Sequence, residues 1–134
     1  MLGLFKTKKR TSNATILVVD DEADLRSTIQ TRLKWNKFNV LTASNGQEGL
    51  ETAAAEKPDL ILLDNNMPVM TGLEMLARLR ENPELKETPV IMLTAVCEPQ
   101  DIAAASLFGV ADYVTKPFDF ADLTAKISQA LDKK

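Results

Sequence analysis

The chain contains no histidine. That excludes a histidine general base, a His-ligated zinc site and a phosphohistidine of its own. The single cysteine, Cys97, precludes an internal disulfide and fits a reducing, cytoplasmic compartment. No apolar run approaches the roughly 20 residues that cross a bilayer. The apolar start at residues 1–5 is too short for the core of a signal peptide, so no stable membrane insertion is expected. Basic residues are not in excess. The formal net charge is −3, which argues against nucleic acid as the main ligand.

What is present is enough for one ordinary domain: 134 residues, 45% hydrophobic and 26% charged, the composition of a soluble globular chain. Residues 1–13 combine the apolar start with Lys6, Lys8, Lys9 and Arg10. They are expected to form a flexible, solvated basic arm, the alternative being a weak partner or membrane-surface contact.

From residue 14 onward, apolar runs alternate with helical patterns. Ile16–Val19 is a short β-branched run that stops at acids, the pattern of a buried parallel strand. Leu25, Ile29 and Leu33 then recur every four residues as one helical stripe. Residues 38–43 give a second strand. Asn45 caps the next helix, with Glu48 completing a capping-box-like pair and Leu50, Ala53 and Ala54 on its inner face. Residues 59–63 form a third strand ending at Asp64. After the Met67–Gly72 turn, where Met67 and Met70 are expected to anchor the loop, Leu73, Leu76 and Leu79 line a helix that stops near Asn82-Pro83. Residues 89–93 form a fourth strand ending at Thr94. Pro99 opens a helix with Ile102, Ala105 and Phe108 inward and Gly109 closing it. Residues 111–115 form a fifth strand ending at Lys116-Pro117. Asp119 caps a last helix striped by Phe120, Leu123, Ile127 and Leu131. Trp35, near a helix end, is expected to be a packing residue. Five βα units with short connections imply a parallel sheet covered on both faces.

The informative polar residues share one address. Asp20 and Asp21 follow strand one, Asp64 strand three, Thr94 strand four and Lys116 strand five. Ligands of open parallel sheets bind beyond the carboxyl ends of the strands. A lone aspartate there is usually a cap or turn residue; five residues meeting in one pocket are not. Three neighbouring carboxylates repel unless a divalent cation or a lysine compensates, and an all-oxygen ligand set suits Mg²⁺. Asp64 is then placed as a nucleophile that can form an aspartyl phosphate, a transfer that needs alignment and charge neutralisation more than acid–base chemistry.

The segments Val18–Glu22, Leu62–Asp64 with Met67-Pro68 and Gly72, Pro89–Ala95 and Asp112–Phe118 resemble the receiver domain of two-component response regulators (the CheY-like family) over about residues 14–132. The resemblance implies a flavodoxin-like, doubly wound five-stranded parallel sheet of order 2-1-3-4-5 with five helices. It implies that Asp64 is the phosphoacceptor, that Asp21 and Asp64 ligate Mg²⁺ directly, that Asp20 does so largely through water, and that Asn66 offers its backbone carbonyl. It implies a cis Lys116-Pro117 bond. It assigns Thr94 and Tyr113 as switch residues, Thr94 bonding the phosphoryl group and Tyr113 rotating inward, with residues 98–131 as the responding face. Asn65 departs from the aliphatic residue common there, and Asn66 and Val96 occupy positions that tune phosphoryl lifetime.

The expected function is a single-domain response regulator. It would take its phosphoryl group from a sensor histidine kinase or a His-phosphotransfer protein and switch a downstream protein partner. It is a phosphoacceptor that assists its own phosphorylation and dephosphorylation rather than a turnover enzyme. No output domain is visible, and a fragment of a larger regulator is the alternative. A haloacid-dehalogenase-type phosphatase would place an Asp-x-Asp motif after the first strand, where this chain has adjacent Asp20-Asp21. An unphosphorylated docking module would not need the intact set of Asp20, Asp21, Asp64, Thr94 and Lys116.

Overall fold

Three of the apolar runs become strands with almost no side chain in water, and they form the middle of one sheet. The computed structural model describes residues 14–95 and 99–132, so the 1–13 arm, Val96 and Cys97 lie outside the described residues. The elements alternate without exception: β1 (Thr15–Val19), α1 (Ala23–Trp35), β2 (Asn39–Ala43), α2 (Gly46–Glu56), β3 (Leu60–Asp64), α3 (Gly72–Glu81), β4 (Val90–Thr94), α4 (Pro99–Leu107), β5 (Asp112–Thr115) and α5 (Phe120–Asp132). All pairings are parallel and the strand order is β2-β1-β3-β4-β5, the flavodoxin-like topology expected.

The period-two alternation of the strands divides the core into two layers. Leu17, Val19, Ile61, Leu63, Val90 and Met92 face Ala53 of α2, Met75, Leu76 and Leu79 of α3 and Ala105 of α4. Ile16, Val18, Leu60, Leu62, Ile91 and Leu93 face Ile29 and Leu33 of α1 and Leu123, Ile127 and Leu131 of α5. Burying each such aliphatic side chain is worth about 1.5–3 kcal/mol, which fixes the register: a slip of one residue would exchange the layers.

Four details differ from the sequence reading. The strands expected to start at residues 38, 59, 89 and 111 each start one residue later. Asp64 and Thr94 do not follow their strands but are the last residues within them. In α2, Ala54 is exposed, and the inner face is Gly46, Gly49 and Ala53. A Cβ on Gly49 would lie 2.9 Å from Met75 Cε and 3.0 Å from Val19 Cγ2, so this helix packs through a missing side chain. Asn45 does accept from the Glu48 N–H at 2.8 Å. The Glu48 carboxylate, however, reaches one residue further back, to the N–H and hydroxyl of Ser44, and these bonds hold its pKa below the usual carboxylate value. A true capping box closes α3 instead: Thr71 Oγ1 accepts from Glu74 N–H, and Glu74 Oε1 accepts from Thr71 N–H.

Candidate functional site

The pocket opens where the strand order in the sheet reverses, beyond the carboxyl ends of β1 and β3. β1 stops at Val19, and Asp20 turns the chain toward α1: its Oδ1 accepts the Glu22 N–H at 2.9 Å, and its backbone carbonyl accepts Arg26 Nη1 at 2.6 Å. Asp20 therefore shapes the entry to α1 without being its N-cap, which is Glu22. Asp20 is fully buried, Asp64 is 3% exposed and Asp21 is exposed. Each of the three offers a carboxylate oxygen within 4.8 Å of the others.

Lys116, at the end of β5, reaches across the sheet into this group. Its Nζ lies 3.1 Å from Asp20 Oδ2, 3.4 Å from Asp64 Oδ1 and 3.4 Å from Glu22 Oε1. Its backbone N–H donates to Thr94 O at 2.7 Å, and the Lys116-Pro117 bond is cis as expected. Thr94 is buried beside Thr115 in the β4–β5 register. Asn66 is exposed, and its N–H points at Asp64 Oδ1 at 3.3 Å. Met67 and Met70 are buried, and a Cβ on Gly46 would strike the Met70 side chain at 2.8 Å, so both methionines do anchor the loop. The loop opens on Asn65, whose buried Oδ1 has no protein partner, and its tip carries Val69 at φ +70° with its side chain almost wholly in solvent. At its end, Gly72 donates to Asn65 O at 3.0 Å. A Cβ on Gly72 would collide with the Asp64 carbonyl and lie 2.8 Å from Asn65 Cα, so glycine there lets α3 start against the end of β3.

The electrostatics follow from this crowding. Burial, then the charge of Asp20, push the Asp64 carboxyl up from 3.8 to about 6, against the pull of Lys116 and of the Asn66 N–H. Burial alone would depress the Lys116 ammonium; its bond to Asp20 and the charges of Asp64 and Asp20 outweigh that, and its pKa is raised. Three carboxylates and one ammonium carry a formal charge of −2, which one divalent cation neutralises. Six-coordinate Mg²⁺ with bonds of about 2.1 Å spaces its ligands about 3–4 Å apart, which the observed carboxylate spacing can meet. The donor set, oxygen without nitrogen or sulfur, fits that ion.

A sequence model described as the response regulator receiver domain matches residues 16–128. The chain belongs to this receiver family. The receiver is 40% identical over 119 residues to the alkaline phosphatase synthesis transcriptional regulatory protein PhoP of Bacillus subtilis, covering 89% of this chain and 49% of that protein. It is 36% identical to the response regulator ArlR of Staphylococcus aureus, covering 89% of this chain and 53% of the relative. It thus spans about half the length of the curated relatives it matches. Among solved structures, the Vibrio cholerae chemotaxis protein CheY4 superposes with a TM-score of 0.84 at 32% identity, covering 87% of this chain and 98% of that one.

Sequence reasoning brought Asp20, Asp21, Asp64, Thr94 and Lys116 to one end of the receiver, and the structure places them there. It did not foresee Glu22 as a third contact of Lys116 or Arg26 as the clamp on the Asp20 carbonyl. Arg26 lies one helical turn past Glu22, and that spacing was the available signal. Tyr113 stands apart from the carboxylates. It is half-buried, packs against one core layer, and its hydroxyl donates to Ile102 O at 2.8 Å and lies 3.2 Å from Ser106 Oγ. Trp35, expected to pack, is 83% exposed.

Proposed function

We propose that this receiver is a Mg²⁺-dependent phosphoacceptor switch. Asp64 accepts a phosphoryl group from the phosphohistidine of a sensor histidine kinase or phosphotransfer protein. The observation that carries this is a carboxylate almost wholly buried at a strand end, flanked by two more carboxylates and 3.4 Å from a lysine. Ionising such a group costs stability, which a bound divalent cation would offset.

Asp64 Oδ attacks phosphorus as the P–N bond of the donor imidazole breaks, and the departing imidazole takes a proton from solvent. Asp20, Asp21, Asp64 and the Asn66 carbonyl would hold Mg²⁺, whose chemistry there is to neutralise the phosphoryl oxygens. Lys116 exchanges its contact with Asp64 for one to a phosphoryl oxygen, and Thr94 donates its hydroxyl to another. The added charge of about −1.5 to −2 then favours an arrangement of residues 98–131 in which Tyr113 turns inward. That face binds a protein target, whether separate or linked in the same polypeptide, as the greater length of the relatives favours. The chain assists both acceptance and loss of its phosphoryl group but does not turn over monoesters.

Intact mass after incubation with acetyl phosphate and Mg²⁺ tests the reading. One phosphoryl per chain is expected, abolished by Asp64→Asn and by chelator; undiminished labelling of Asp64→Asn would sink it. Continuous phosphate release from many monoesters would favour the phosphatase reading instead.

A further inference from the structure

The three carboxylates of the pocket are not held alike. Asp20 Oδ1 accepts the Glu22 N–H at 2.9 Å, and its Oδ2 accepts Lys116 Nζ at 3.1 Å. Asp64 Oδ1 faces the Asn66 N–H at 3.3 Å and Lys116 Nζ at 3.4 Å. Both side chains are also buried, so packing limits their rotation. Asp21 has neither kind of support. It is exposed, and its carboxylate has no hydrogen-bond or ion-pair partner among the described residues. Yet one of its oxygens lies within 4.8 Å of an oxygen of each of the other two. What places it there is the backbone.

That backbone is tied to α1 by one side chain. The Asp20 carbonyl belongs to the peptide that joins Asp20 to Asp21, and it accepts Arg26 Nη1 at 2.6 Å. A peptide is planar, so a hydrogen bond on its carbonyl sets the direction in which the chain enters Asp21. The Asp20 N–H, one peptide earlier, donates to Ala43 O at 3.2 Å. Arg26 is itself anchored. It is half-buried near the start of α1, where its own N–H donates to Glu22 O at 2.9 Å. The bonds from Ser44 that lower the Glu48 pKa are helped by the Arg26 charge. The guanidinium therefore links the start of α2 to the turn after β1.

We infer that Arg26 is a positioning residue for the cation site: by holding the Asp20 carbonyl, it keeps the Asp21 carboxylate facing Asp64. The inference rests on the reading of Asp20, Asp21 and Asp64 as Mg²⁺ ligands. Arg26 acts on such an ion in two ways, with opposite signs. As a charge, a guanidinium near the site repels a dication. As a clamp, it spares the ion the entropy of ordering an exposed turn. The clamp prevails. Solvent and salt screen the charge of a half-exposed side chain, whereas groups that orient metal ligands are worth roughly 10–100-fold in affinity. Arg26 itself touches neither the ion nor the phosphoryl group; it works through Asp21.

The test is metal affinity in the full chain, without any phosphodonor. Mn²⁺ binding is read from the loss of the free-ion electron paramagnetic resonance signal, and Mg²⁺ binding from its displacement of Mn²⁺. Failure of the parent to bind either ion would overturn the cation site itself and the inference with it. With the parent binding, Arg26→Met should weaken both ions about tenfold or more. Arg26→Lys, which keeps a donor on a different reach, should lie between the two and carries the same test if Arg26→Met does not fold. In an Asp21→Asn background, Arg26→Met should cost about twofold or less, because the carboxylate it positions is gone. Urea midpoints in chelator establish that folded chains are being compared. Parent-like or tighter binding in Arg26→Met would overturn the inference. So would an equal loss with and without the Asp21 carboxylate, which would make Arg26 a support of the whole pocket rather than of Asp21.

Discussion

Lys116 and Arg80 are both half-buried cations, one at each end of the sheet, and they are held in opposite ways. Lys116 lies among the carboxylates of Asp20, Glu22 and Asp64. Arg80, in α3, has no carboxylate within ion-pair distance among the described residues. Its guanidinium donates to four backbone carbonyls: Phe108 at 2.6 Å, Thr88 at 2.9 Å, Leu85 at 3.1 Å and Gly109 at 3.4 Å. Burial lowers its pKa, yet every bond it makes is to a fixed neutral acceptor. One cation ties together two loop segments, the connections before β4 and β5; the other lies among carboxylates, whose charge depends on pH. A buried cation marks function here only where its partners are themselves titratable.

Substitutions can sharpen that contrast, and the largest effect belongs to the pocket. Lys116→Met should slow phosphorylation by acetyl phosphate about tenfold or more and abolish the phosphorylation-dependent change in hydrogen exchange over residues 98–131. Its far-ultraviolet circular dichroism in Mg²⁺ should stay normal. A variant that still transmits that change would remove Lys116 from the switch.

Arg80→Met should do the reverse. Losing bonds to four carbonyls costs on the order of 3 kcal/mol, measured by urea unfolding, while the phosphorylation rate of the folded fraction stays within about twofold. A large loss of rate at full folding would break the contrast.

The next effect in size is a gain. The folded-state pKa of Asp64 is raised from 3.8 to about 6. Its contribution to stability is therefore complete below about pH 4 and is lost as pH rises through about 6. Without metal, Asp64→Asn should be more stable than the parent by about 3 kcal/mol at neutral pH, because each tenfold weakening of the acid in the folded state costs about 1.4 kcal/mol once the group is ionised. The two should coincide near pH 4. Urea titrations in chelator at both pH values test this, and an equal gain at both would refute it.

The smallest effect is at Val69, held at φ +70°. Val69→Gly should relieve about 1–2 kcal/mol of left-handed strain and give back about half in chain entropy. A net stabilisation below about 1 kcal/mol is expected from thermal melts, with no change in labelling by acetyl phosphate.

The pocket was legible because each of its residues stands at the end of an apolar run, so topology alone gathers them. Arg80 was not. Its partners are carbonyls, which every residue carries, and no side-chain pattern announces them. Ala54 misled because α2 packs through Gly46 and Gly49, and an absent side chain leaves no hydrophobic signal. Glu48 points to the wrong donor in the sequence because Ser44 and Asn45 are both good helix starters, and only the backbone turn decides between them. Trp35 reads as a packing residue on its size; its place one residue before the turn sends it outward instead.

Lys116 and Asp20 are 96 residues apart in the chain, and this has a consequence for synthesis. A nascent chain that has not yet made β5 holds all three carboxylates and lacks their lysine. A chain whose β5 has frayed is in the same condition. Neither holds the completed site, so the switch as proposed responds to phosphorylation only after the last strand has been made and docked.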